Sequence, residues 1–329
     1  MVYMVIDPHT VFQGTLLRLQ VARRQRIYFQ DLWTQHLQSM PWTFSLQQND
    51  HLEYSLMAQV ESPVPPRLGV YFSSWLQQQR AALDNALYAL AGVRGGRFPP
   101  LGGELMEFPI AVSLKEFSGR RTVKAKVLDK ETESFLESNQ PYWRFPYGAA
   151  QEPLLSPLYW LNEMALIDRH RMMHVGVGSI RISNGFTLHA GVDRVVKHVA
   201  EEGHIFAGRM PVLTFTTAEP LRSTKIRFVT RPEILPEIAE WSGAKALIPI
   251  FDYRHSSTAG KVQWIEGYKP LGERMDDIEN TVKDICTGMV THAGFDLSPF
   301  SHLSMSDSSS RYHRFEAGTP DSARRLNGG

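Results

Sequence analysis

From Thr10 to about Gln38, the apolar residues Val11, Leu16, Leu19, Ile27, Leu32 and Leu37 recur among polar ones with no internal proline. That spacing predicts a helix, and Pro41 ends it. Trp42, Phe44 and Leu46 then alternate with Thr43, Ser45 and Gln47. Asn49-Asp50 supplies turn chemistry, and Leu52, Tyr54, Leu56, Ala58 and Val60 alternate again, so a β-hairpin is expected. The run Pro63-Val64-Pro65-Pro66 breaks the strand. From about Leu68 to Ala91, Phe72, Trp75, Leu76, Leu83, Ala86, Leu87 and Leu90 form one apolar arc of a second helix. Arg80, Asp84 and Tyr88 follow one another at four-residue spacing along its edge.

Gly92 to Gly103 reads as a loop, and Phe108-Pro109-Ile110 as a short strand. The charged stretch from Lys115 to Glu137 has helical character. Pro141 to Pro157, rich in proline and aromatic residues, is expected to be a structured loop feeding a helix over 158–174, with Gly176 as its stop. Strand patterns follow at 175–182, 186–190, 212–218, 225–230 and 246–251, with a further one at 261–266. Arg274 to His292 returns to helical spacing, with Met275, Ile278, Val282, Ile285 and Met289 on one face. After Phe295 the composition predicts a disordered tail. The expected fold is α+β, with helices near 10–38, 68–91, 158–174 and 274–292, antiparallel hairpins and a strand-rich second half. One globular domain over 1–296 is expected, divided into a helical and hairpin half (1–175), a strand-rich half (176–270) and a closing helix, before the tail at 297–329.

A net charge of +1 over 329 residues gives no global field toward nucleic acid or an anionic membrane, so such binding needs a local patch. One patch is in view: Arg18, Arg23, Arg24 and Arg26 form a basic stripe on the first helix. It is read as a solvated helix face in preference to a phosphate-binding surface. The single cysteine, Cys286, excludes an internal disulfide and fits a reducing cytosol. Its apolar helical neighbours suggest a core thiol and not a nucleophile. No apolar run approaches the roughly 20 residues of a membrane helix, and the amino terminus lacks a signal-peptide pattern. A cytoplasmic protein without a membrane partner is expected. Nucleotide-binding glycine loops, His-Glu-x-x-His and Gly-x-Ser-x-Gly are all absent, and no cofactor is expected.

The densest chemistry is Asp168-Arg169-His170-Arg171-Met172-Met173-His174. On a helical wheel Asp168 shares an apolar sector with Leu161, Met164, Ala165 and Met172. A carboxylate there needs a cationic or donor partner. Arg171 and Arg80 are candidates, which predicts that helices 68–91 and 158–174 pack with Arg80, Asp84, Asp168 and Arg171 as a polar network and structural lock. Glu163, His170 and His174 lie in the opposite sector, and two histidines at four-residue spacing beside a carboxylate are a candidate divalent-metal site.

Arg169 and His174 form an Arg-x4-His pattern that resembles the HEPN superfamily of small helical RNases and nucleotide-binding domains. The resemblance implies a metal-independent site in which His174 moves a proton and Arg169 stabilises phosphorane-like charge. Arg169 points to a sector nearer Asn162, so this version requires a site composed across a homodimer. More broadly, Arg80-Ala81-Ala82-Leu83-Asp84, Phe108-Pro109-Ile110, Leu161-Asn162-Glu163 and Asp168-Arg169-His170-Arg171 resemble the shared elements of a set of uncharacterised bacterial and phage proteins. That set carries no activity to transfer, but it supports pairing of the two polar helices. Three functions therefore stand side by side. They are a HEPN-like RNase or RNA-binding protein using Arg169 and His174, a non-enzymatic binding or assembly module locked by Asp168 and Arg171, and a metal-dependent hydrolase using Glu163, His170 and His174.

Overall fold

In the computed structural model, which describes residues 8–144, 156–170, 176–181, 195–200, 204–205, 208–221, 233–238 and 271–296, the first helix packs through one continuous seam. Helix α1 (Pro8–Gln38) buries Phe12, Thr15, Leu19, Ala22, Arg26, Phe29, Trp33 and His36. Steps of three and four put these on one face. Ile27, counted among the helix's apolar recurrences, is instead 45% exposed. Aromatic rings, Leu19 and Ala22 carry the seam, Thr15, Arg26 and His36 interrupt it, and Val11, Leu16, Leu32 and Leu37 pack partly buried beside it. Burial of Arg26 also corrects the reading of Arg18, Arg23, Arg24 and Arg26 as one solvated face.

Helix α2 (Arg67–Arg94) runs antiparallel to α1, as the contacts Arg18–Gln78, Tyr28–Tyr71 and Phe29–Phe72 require. The whole predicted arc from Phe72 to Leu90 is fully buried. Burying each such side chain is worth about 1.5–3 kcal/mol, which makes α2 the core of the helical layer. It packs against α1, α7 (Pro157–His170) and α8 (Leu271–His292). Gly92 in its last turn admits no larger residue, because a Cβ there would lie 2.2 Å from the ring of Phe98.

The hairpin β1 (Trp42–Gln48) and β2 (Glu53–Val60) forms as the alternation predicts. The strand-rich half completes it: the four-stranded antiparallel sheet has the order β1-β2-β6-β4, with β4 at Val195–Ala200 and β6 at Arg209–Thr217. Tyr54, Leu56 and Ala58 of β2 and Leu213 and Phe215 of β6 are buried, and the rings of Tyr54 and Phe215 stack at 5.8 Å. Pro211 cannot donate to the ladder, and beside it the register shifts between Leu56 and Met57. A second antiparallel sheet has the order β5-β3-β7, from β3 (Gly176–Arg181), β5 (His204–Ile205) and β7 (Glu233–Ile238). The fold is α+β. The strands expected at 186–190, 225–230, 246–251 and 261–266, and the tail from 297, lie outside the described residues.

The charged stretch resolves into short helices: α3 (Leu114–Gly119), α4 (Arg121–Lys124) and α5 (Lys130–Ser138), followed by α6 (Pro141–Arg144). Ser113 and Asp129 cap α3 and α5, accepting from the backbone N–H of Glu116 and Thr132. The segment Phe108-Pro109-Ile110 has no regular secondary structure and joins no strand ladder among the described residues, which corrects the expected strand. Among the described residues, no helix is long and apolar enough to cross a membrane.

Candidate functional site

Side chains from α2, α3 and α4, with Arg120 and Gln140 from the loops between helices, hold the Phe108-Pro109-Ile110 segment in place of a partner strand. The buried Arg80 of α2 donates to the Phe108 carbonyl at 2.7 Å and to Glu107 at 2.9 Å. One turn on, Asp84 accepts the Phe108 N–H at 2.8 Å and lies 3.4 Å from the Arg80 guanidinium. Gln140, fully buried, donates to the Pro109 carbonyl and accepts from the Ala111 N–H, both at 2.9 Å. Arg120 reaches the Ile110 carbonyl, and Glu116 accepts the Val112 N–H at 3.0 Å. Thr122 donates to Glu107 O at 2.8 Å and Leu105 O at 2.7 Å. Phe108, Ile110 and Ala111 are buried, and a buried backbone polar group needs such a partner. The α2 motif and the Phe-Pro-Ile element are thus one clamp.

At the other edge of α2, Asp168 accepts a hydrogen bond from the Gln77 amide at 2.9 Å, and the same amide lies 3.3 Å from the Ala165 carbonyl. Leu161, Met164 and Ala165 are buried, as the wheel predicts, and Asp168 is half-buried beside them. Of the expected network, Arg80 and Asp84 meet each other at the clamp, and Asp168 meets Gln77. Arg171 and His174 lie outside the described residues, and of Arg169 and His170 only the helical backbone is described. Glu163 is half-buried on α7 next to Asn162, whose amide is 3.4 Å away. Burial, followed by the charges of Glu163 and Glu116, pushes the Tyr159 hydroxyl up to about 12.

A second charged centre lies in the α1–α2–α8 seam. Arg26 donates to Glu279 at 2.8 Å, pairs with Asp276 at 2.7 Å, and reaches the Gly272 carbonyl at 3.2 Å. The Trp75 indole donates to the other Glu279 oxygen at 2.7 Å. Arg26 and Glu279 are both 4% exposed. Burial raises the Glu279 carboxyl above its ordinary range, against the opposing pull of Arg26 and Trp75. Cys286, in the same helix, is a core thiol raised by burial and then by the charge of Asp84.

His36 is also buried, and among the described residues it has no charge partner and its Nε2 makes no hydrogen bond. Its ring lies 5.7 Å from Trp33 and 5.2 Å from Trp42. Burial lowers its pKa. The ligand atoms of Asp129, Glu131 and His292 lie within 4.8 Å of one another. Arg94 already bridges both carboxylates, at 3.2 Å to Asp129 and in a short contact to Glu131, so an entering cation would meet a guanidinium on the same oxygens. The arrangement serves the start of α5. Comparison with known proteins returns no match among family models, curated proteins or solved structures.

Proposed function

We propose that the protein is a non-enzymatic binding module whose polar helix motifs are architectural. The observation that supports this reading is the engagement of both ionisable residues of Arg80-Ala81-Ala82-Leu83-Asp84 on the backbone of Phe108. A guanidinium spent on a buried carbonyl and a carboxylate spent on the adjoining N–H position a loop, and neither is presented to a substrate. The module is cytosolic on this reading, and RNA is the ligand class to test first.

Incubation of the protein with single-stranded RNA in EDTA tests the reading. The RNA should remain intact, and Arg80→Met should lower the melting temperature. Cleavage by the parent that disappears in His174→Ala would instead establish the metal-independent RNase with Arg169 and His174, and sedimentation would then show the homodimer that site needs. Near-stoichiometric zinc or manganese by elemental analysis, lost in Glu163→Ala, would establish the metal-dependent alternative with His170 and His174.

A further inference from the structure

We infer that the outward face of the α1–α2 pair is a docking surface for single-stranded nucleic acid, an assignment that rests on the binding-module reading above. Tyr28 of α1 is 43% exposed, and its ring lies 5.6 Å from that of Tyr71 on α2 at an interplanar angle of 47°. Beside the rings, Ile27 and Val70 are 45% and 49% exposed. The patch is therefore aromatic and aliphatic in a position where a surface helix normally shows polar groups.

Cations flank it. Arg24 precedes Tyr28 by four residues and Arg67 precedes Tyr71 by four, so each arginine stands one turn from its tyrosine on the same face. Because the helices are antiparallel, the two guanidinium groups lie on opposite sides of the ring pair. Both are exposed, and neither makes a hydrogen bond or ion pair with another of the described residues. Arg26, Arg80, Arg94 and Arg120, by contrast, are all engaged in ion pairs. Asp31 is the one acidic residue of α1, and the first turn of α2 has none.

Two unpaired cations spaced across an exposed ring pair match a strand whose phosphates alternate with unpaired bases. The bases stack on Tyr28 and Tyr71, and the phosphates lie against Arg24 and Arg67. A duplex hides its base faces and has nothing to offer the rings. A second copy of this chain fits worse, because a two-fold contact through this face sets like arginines against each other.

The test is fluorescence polarisation of a labelled oligouridylate of about 12 nucleotides, in EDTA, at salt from roughly 50 to 200 mM. The DNA counterpart and a duplex of the same length run in parallel, and the recovered probe is checked for integrity. The parent should bind the single strands in preference to the duplex, and the RNA–DNA ratio identifies the natural source. Tyr28→Ala with Tyr71→Ala should weaken binding roughly ten- to a hundredfold. Arg24→Gln with Arg67→Gln, which disturbs no core residue, should reduce the slope of log affinity against log salt by about 1.4. No binding by the parent, or parental affinity and slope in the arginine variant, would overturn the assignment. So would equal displacement of the probe by polyglutamate, which would give the face to an acidic protein partner. A cleaved probe would instead defeat the non-enzymatic reading, with the same variants still deciding the surface.

Discussion

Two buried arginines, 54 positions apart, solve the same electrostatic problem in different ways. Arg26 sits between three long helices whose backbone groups are largely bonded to one another, and its main partners are side-chain carboxylates: the buried Glu279 and the partly exposed Asp276. Arg80 sits beside an irregular segment, and its shortest hydrogen bond goes to a peptide carbonyl. The environment decides the partner. Between regular helices a cation needs a counter-charge; beside irregular backbone it can become the missing half of a sheet.

Breaking the first solution should have the larger effect. Glu279→Ala leaves the buried Arg26 with only the partly exposed Asp276 and the Gly272 carbonyl, and should cost about 3–5 kcal/mol in urea unfolding. Arg26→Met with Glu279→Leu should recover most of that loss, because a buried ion pair is often replaceable by apolar side chains of similar volume. If the double variant is as unstable as the single one, the pair stabilises more than it costs and the contrast with Arg80 collapses. At the clamp, Arg80→Met strands the Phe108 carbonyl and should cost about 1–3 kcal/mol. Faster amide exchange should be confined to residues 107–112, and uniform acceleration across α2 would show that Arg80 locks the helices and not the loop.

Asp129 sharpens the comparison at the surface, where a carboxylate serves both as cap and ion-pair partner. Burial would raise its pKa, but the hydrogen bonds from Arg94 and Thr132 outweigh this and lower it to about 2. Its contribution should be complete above the ordinary aspartate range and lost as pH falls through about 2. Asp129→Ala, measured by thermal melting at neutral pH, should cost about 0.5–2 kcal/mol through the lost cap. The smallest effect belongs to His36, which is buried neutral between two tryptophans. Its lowered pKa makes the folded state bind fewer protons than the unfolded one, so stability should be full above pH 6.5 and decline as pH falls toward the folded value. His36→Gln should flatten that decline, and tryptophan emission from Trp33 and Trp42 should follow it. An unchanged pH profile would remove His36 as its source.

How much of this was legible in the sequence depended on whether partners were local. The α2 arc and the β1–β2 hairpin follow from periodicity alone, because each residue's environment repeats with the element. The α1 seam does not, because Arg26 and His36 occupy core positions through partners more than a helix away or through ring packing. Glu279 sits within the predicted apolar face of α8, and only the approach of Arg26 and Trp75 explains it. Arg80 and Asp84 stood out by charge and spacing, yet their target is a backbone unit, which carries no sequence signature. Gln77 and Gln140 carry no such signal, because a neutral amide gives no warning of the partners it will meet, although Gln140 immediately precedes Pro141 at the start of a helix.

The placement of β6 between β2 and β4 has a consequence in time. The β2 edge must wait for a strand that begins at Arg209, although the hairpin is complete at Val60. On a ribosome adding about 5–20 residues per second, that interval is roughly seven to thirty seconds. Throughout it the nascent chain carries an open β edge whose Tyr54, Leu56 and Ala58 are destined for burial. An edge left open for that long is a template for pairing with other chains, so co-translational handling of it bears on the yield of this protein.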